Sequence, residues 1–150
     1  MAAKTGRTIE SVYTQFWLDN SSGTLTNLSA YCSGVGAVGL DRKTVDVTAY
    51  SDGVYNFLAD KPTAPLTITF PLDTVVITHL SALNPNTPLS LGIYYGIRQA
   101  WESGEPTFGI TSSATSGYIS LGFTVSGGVI TANFEVFGPT APAWGTAAVT

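Results

Sequence analysis

At 150 residues the chain has the length of one domain, enough to bury roughly 68–70% of the surface that its unfolded form exposes. Charged residues make up only 11% of it, the formal charge is −4, and the six basic residues Lys4, Arg7, Arg42, Lys43, Lys61 and Arg98 are scattered. That excludes the clustered basic patch on which tight nucleic-acid binding depends, and no apolar run approaches the roughly 18 residues of a membrane helix.

Residues 1–8 are small and polar around Lys4 and Arg7, with no apolar stretch behind them, so they read as a mobile arm and not as a secretion signal. Cytosolic synthesis is the expectation. Val12, Thr14, Phe16 and Leu18 then share one parity, with Tyr13, Gln15 and Trp17 on the other; Asp19-Asn20-Ser21-Ser22-Gly23 turns the chain, and residues 24–28 resume an extended pattern. This predicts an opening hairpin. Cys32 is the single cysteine, which excludes a disulfide framework and a multi-cysteine zinc site and reads as a small, partly buried packing residue. Residues 33–44 form a long glycine-punctuated loop ending in Leu40, Asp41, Arg42 and Lys43.

Period-two alternation returns at Val45, Val47 and Ala49 and at Leu66, Ile68 and Phe70, predicting two half-buried strands. Between Asp73, a plausible N-cap, and Pro85, the residues Val75, Val76, His79, Leu80 and Leu83 recur at helical spacing, which predicts a short helix over 74–83. A strand over 74–78 is the alternative, because β-branched residues crowd it. Residues 89–97 and 107–111 read as further strands. The clearest signal lies last: Ile119, Leu121, Phe123 and Val125 on one face, Ser126-Gly127-Gly128 as a turn, then Ile130, Ala132, Phe134 and Val136 returning. Residues 138–150 are small and proline-rich and read as a second mobile arm.

The residues give little support for catalysis. The lone His79 has only Asp73 and Ser81 nearby as triad partners, with no glycine-framed nucleophile turn. The acidic residues are dispersed, with Glu102 and Glu105 the nearest to a calcium loop and Asp46 and Glu135 the nearest to a glycosidase pair. Gly34, Gly36 and Gly39 match dinucleotide-binding spacing, but no helix and no βαβ unit follow. No metal or cofactor is expected. Asn20 and Asn27 fit glycosylation sequons that, without a secretion signal, read as chance. Tyr13, Trp17, Tyr50, Tyr94 and Trp101 are aromatic candidates for packing, for a subunit interface or for stacking on sugars.

Four stretches carry a family resemblance: Leu18 through Tyr31, with its strand, turn and strand ending in Leu28-Ser29-Ala30-Tyr31; Asp46-Val47-Thr48-Ala49-Tyr50-Ser51-Asp52-Gly53; Leu66 through Asp73; and Ala143-Trp144-Gly145-Thr146. Together they resemble the major tail tube proteins of long-tailed bacteriophages. The resemblance implies a mainly β fold, a β-sandwich or barrel of two antiparallel sheets with one short flanking helix, in a single domain over 1–150. It implies a non-enzymatic structural virion protein, assembled in the host cytoplasm, whose copies form hexameric rings that stack into a hollow tail tube. The partners would then be the chain itself, other tail proteins, and viral DNA passing through without specific binding; no membrane is involved.

A DNA conduit should not hold phosphate, so neutral or weakly acidic side chains suit its lumen. On strand parity, Asp46, Thr131, Asn133 and Glu135 are the lumen candidates. Leu40, Asp41, Arg42 and Lys43, at the end of the long loop, are the ring-stacking candidates. A capsid decoration protein and a carbohydrate-binding sandwich are the alternatives left open.

Overall fold

The structure, a computed structural model, describes residues 14–95 and 105–146. Among the described residues eleven strands and one α-helix follow one another, with a single 3-10 turn over Ser29–Tyr31: β1 (Gln15–Asp19), β2 (Leu25–Asn27), β3 (Gly34–Val35), β4 (Thr44–Asp46), β5 (Phe57–Ala59), β6 (Leu66–Pro71), α1 (Thr74–Ser81), β7 (Leu91–Tyr94), β8 (Thr107–Ile110), β9 (Gly117–Ser126), β10 (Val129–Phe137) and β11 (Ala143–Gly145). A five-stranded sheet in the order β11-β8-β7-β1-β2 and a four-stranded sheet in the order β3-β6-β10-β9 form the body, and β4 pairs with β5 as a separate two-stranded sheet. The fold is mainly antiparallel β with one flanking helix, as expected.

Alternation explains why the two larger sheets meet. Leu66, Ile68 and Phe70 on β6 and Ile130, Ala132 and Phe134 on β10 are buried, while the residues between them are half-buried. Phe16 from β1 crosses the interface, its ring centroid 6.1 Å from Phe70 and 6.4 Å from Phe134. The sheets also touch at their margin, where Leu89 and Tyr118 exchange backbone hydrogen bonds of 2.7 and 2.9 Å.

Helix α1 begins where expected, with Asp73 Oδ1 accepting the Val75 amide at 2.8 Å, and it buries Val76 and Leu80 in the core. The strand alternative for 74–78 is therefore excluded, and the helix stops at Ser81, two residues before the predicted end.

Three expectations need correction. In the C-terminal hairpin, Gly127 and Gly128 make the turn at positive φ, but the register shifts between Ala132 and Phe134. Gly122, at φ +98°, accommodates the extra residue on β9. The parity flips there: Phe123 lies opposite buried Ala132, while Ile119 lies opposite Glu135 and Leu121 is exposed, so the four apolar residues of β9 do not share one face. Second, the predicted half-buried strand from Val45 ends at Asp46 and is exposed on both faces, because no second layer among the described residues covers it. Third, of the arm expected over 138–150, Ala143–Gly145 pair with β8, and Trp144 packs on Phe108 with ring centroids 4.9 Å apart. Residues 1–8 lie outside the described residues, as do Tyr13, Trp101 and Glu102.

Part of the long loop is also ordered as a strand, since Gly34 and Val35 pair with Thr69 and Ile68 of β6.

Candidate assembly interface

From Asp41 to Thr63 the chain leaves the body and returns as a two-stranded arm. Its root is the antiparallel bridge between those two residues, with Asp41 and Thr63 donating to each other's carbonyl oxygens at 2.7 and 2.8 Å. Above it the Asp60 amide reaches the Lys43 carbonyl oxygen at 2.7 Å, and Arg42 Nη1 reaches the Asp60 carbonyl oxygen at 2.9 Å. Thr44, Val45 and Asp46 then pair with Ala59, Leu58 and Phe57. Side chains close the far end: Asp46 Oδ1 accepts the Thr48 amide, Thr48 Oγ1 accepts the Asn56 amide at 2.8 Å, and Asp52 Oδ2 accepts the Ala49 amide at 2.7 Å. These bonds hold both carboxyls below the usual carboxylate range, Asp46 through Thr48, and Asp52 through the Ala49 amide and then Asn56.

The arm's surface is unusual for its position. Tyr55 is 78% exposed, Leu58 61% and Phe57 56%, and Val45, Val47, Tyr50 and Val54 are exposed beside them. β-branched and aromatic residues favour the strands, yet a lone two-stranded ribbon is marginal in water and an exposed apolar strand is a pairing surface. Exposed apolar side chains gathered on one strand pair are the kind of surface that interaction sites use.

Leu40, Asp41, Arg42 and Lys43, expected at the tip of a loop, lie instead at the arm's root, all exposed. The four lumen candidates are divided. Thr131, Asn133 and Glu135 share the outer face of β10, half-buried, opposite the core residues Ile130, Ala132 and Phe134. Asn133 Oδ1 accepts the Thr67 hydroxyl at 2.9 Å, and Glu135 Oε1 accepts the amides of Ala64 and Val136, each at 2.9 Å. Register continues this face through Thr67, Thr69 and Thr124, with Ile119 opposite Glu135 and Val129 at its end, so hydroxyls, an amide and one carboxylate stand beside two apolar side chains. Asp46 stands apart in the arm.

β9 forms one margin of that sheet, and apart from the Leu89 bridge at Tyr118 no described strand pairs along its outer side. The Tyr118 hydroxyl, buried beneath this margin, has no hydrogen-bond partner among the described residues. Burial, and secondarily the Glu135 charge, push its ionisation well above the ordinary tyrosine value.

The residues considered for chemistry are engaged structurally. His79 Nε2 donates to the Asp19 carbonyl oxygen at 3.1 Å, and Asp73 serves as the helix cap. The buried Asp19 carboxylate accepts the Gly23 amide and the amide and hydroxyl of Ser90. Among the described residues no group of His, Cys, Asp and Glu could hold a metal ion, and no helix is long and apolar enough to cross a membrane. Trp17 and Tyr94 pack together on the outer face of the five-stranded sheet with centroids 6.1 Å apart, while Tyr50 lies far off in the arm.

Sequence reasoning missed β5 and with it the arm. The signal was Asp52-Gly53, a turn pair preceding the run Val54 to Leu58.

No protein-family model and no curated protein matches the sequence. Solved structures do match across nearly the whole chain. A chain of the PVC sheath-tube complex, an extracellular contractile injection system in its extended state, has a TM-score of 0.51 at 13% identity, with 93% of each chain covered. The tube-terminating cap of the anti-feeding prophage has a TM-score of 0.53 at 10% identity, with 97% of each chain covered. The PVC sheath/tube terminator has a TM-score of 0.51 at 13% identity, covering 94% of this chain and 99% of that one. The chain thus has a fold found in phage-tail-like tube, terminator and cap assemblies. The likeness is to contractile injection systems, broader than the long-tailed phage tube family that the sequence resembles.

Proposed function

We propose that the chain is a non-enzymatic subunit of a phage-tail-like tube, which assembles with copies of itself into hexameric rings and stacks them into a hollow conduit. The observation that carries this reading is the arm over 41–63, whose apolar side chains face solvent on a body that shares its fold, end to end, with chains of tube assemblies. A surface of this kind suits coverage by a partner. The open margin of β9 offers a second contact, since an unpaired strand edge templates pairing with another chain.

In such a ring the outer face of β10 lines the lumen. Thr131, Asn133 and Glu135 present hydroxyl, amide and carboxylate groups, a lining that does not bind phosphate and lets DNA slide without specific binding. Asp46 stands in the arm, away from this lining, and Leu40, Asp41, Arg42 and Lys43 meet the adjacent ring at the arm's root. No cofactor is involved, the remaining partners are other tail proteins, and the particle is a virion tail assembled in the host cytoplasm.

Negative-stain electron microscopy over a concentration series, with solution mass measured in parallel, tests the proposal. Rings or hollow tubes are the expected products. A stable trimer would overturn it in favour of a capsid decoration protein, and a monomer with saturable glycan binding would overturn it in favour of a carbohydrate-binding sandwich.

A further inference from the structure

Charge is distributed unevenly over the described residues. All three of their basic side chains, Arg42, Lys43 and Lys61, stand at the base of the arm, where Asp41 and Asp60 offset them only in part. The far half of the arm carries Asp46 and Asp52 and no cation. At about 3.3 Å per residue, the three steps from Lys43, the nearest basic residue, to Asp46 span about 10 Å, and Asp52 lies further along the arm. That distance is more than twice ion-pair range and comparable with the roughly 8–10 Å over which charges feel one another at ordinary ionic strength. Among the described residues of one arm, no ion pair joins the acidic tip to the basic base.

The body supplies no counterpart. Its described charges are Asp19, Asp73, Glu105 and Glu135, all acidic, with Asp19 and Glu105 buried. Among the described residues of a second copy, the one cationic surface open to an acidic arm tip is the base of that copy's own arm.

Resting on the tube reading, we infer that the arms interact head to tail: the tip of one copy, through Asp46 and Asp52, docks on the base of the next, through Lys43 and Lys61. Tyr55, Phe57 and Leu58 lose water in the same contact. Tip and base are different surfaces, so each copy can use both at once; two antiparallel arms would close as a pair, whereas the head-to-tail arrangement that a tube requires propagates. Charge fixes the direction of the contact, and the apolar side chains supply its area.

Charge exchange tests this directly. The tip variant D46K/D52K has two positive ends, and the base variant K43E/K61E has two negative ends. At about 50 mM salt, where screening is weak, each variant alone should leave at least about tenfold less sedimentable assembly than the unmodified chain, a loss of about 1.4 kcal/mol or more per contact. Their equimolar mixture should recover the unmodified level, because every tip then meets an opposite base. The chain with all four substitutions should assemble with itself, which separates lost complementarity from a damaged arm. Variants that assemble alone as well as the unmodified chain, or a mixture that stays as low as its components, would overturn the inference and leave the tube reading intact if the unmodified chain forms tubes. An unmodified chain that never assembles would overturn both.

Discussion

The body and the arm are built from the same kinds of strand, yet they treat apolar side chains in opposite ways. Phe134 on β10 is 1% exposed and Phe57 on β5 is 56% exposed, although each sits in an antiparallel pair. The difference is the second layer: Phe134 meets Phe16 from the facing sheet, whereas no described element covers β4 and β5. An apolar residue contributes to folding only when something removes its surface from water. The apolar residues buried between the body's sheets are spent on folding, while those of the arm remain available for association.

If that division is right, the largest effects on stability come from the body. Phe134→Ala should lower the free energy of unfolding by about 3–5 kcal/mol, since it removes an aromatic ring from a packed core and leaves a cavity. Chemical denaturation at unchanged slope measures this, and a loss below about 1 kcal/mol would mean that the sheets do not pack as described. Asp19→Ala comes next, at about 2–3 kcal/mol, because it strands the buried donors of Ser90 and the Gly23 amide together. A loss of that size with far-UV circular dichroism unchanged would place Asp19 as the clasp between the β1–β2 turn and the start of β7.

How legible this division was in the sequence depends on the device involved. The strands of β6 and β10 were readable because one buried face enforces period two over six or more residues. α1 was readable from the cap at Asp73 and the spacing of Val76 and Leu80. The bulge at Gly122 was not, because one extra residue on β9 reverses the faces of Ile119 and Leu121 without altering the alternating pattern itself. The arm was half legible. Val45 and Val47 alternate like a half-buried strand, and alternation reports that one face is apolar without reporting whether the same chain covers it. Thr131, Asn133 and Glu135 could be placed on one face from parity, but parity within separate strands could not show that Asp46 belongs to a different sheet.

A smaller effect, of opposite sign, probes a defect in the body. The buried Tyr118 hydroxyl lacks a partner among the described residues and lies near the Glu135 charge. Tyr118→Phe should therefore raise stability by about 1 kcal/mol, read as an upward shift in the denaturation midpoint. A decrease of similar size would show that the hydroxyl gains a partner inside the body, such as an enclosed water.

The smallest effect on folding is expected in the arm, and there it should coincide with the largest effect on assembly. Replacing Phe57 and Leu58 together by serine removes exposed surface only, so the unfolding free energy should change by no more than about 0.5 kcal/mol. The same protein should fail to form rings or tubes at concentrations where the unmodified chain does, measured by sedimentation and electron microscopy. Each half of this result constrains the other. Lost stability with retained assembly would mean that the arm folds back onto its own body. Unchanged stability with lost assembly would mean that the apolar surface is withheld from the core and kept for a neighbour.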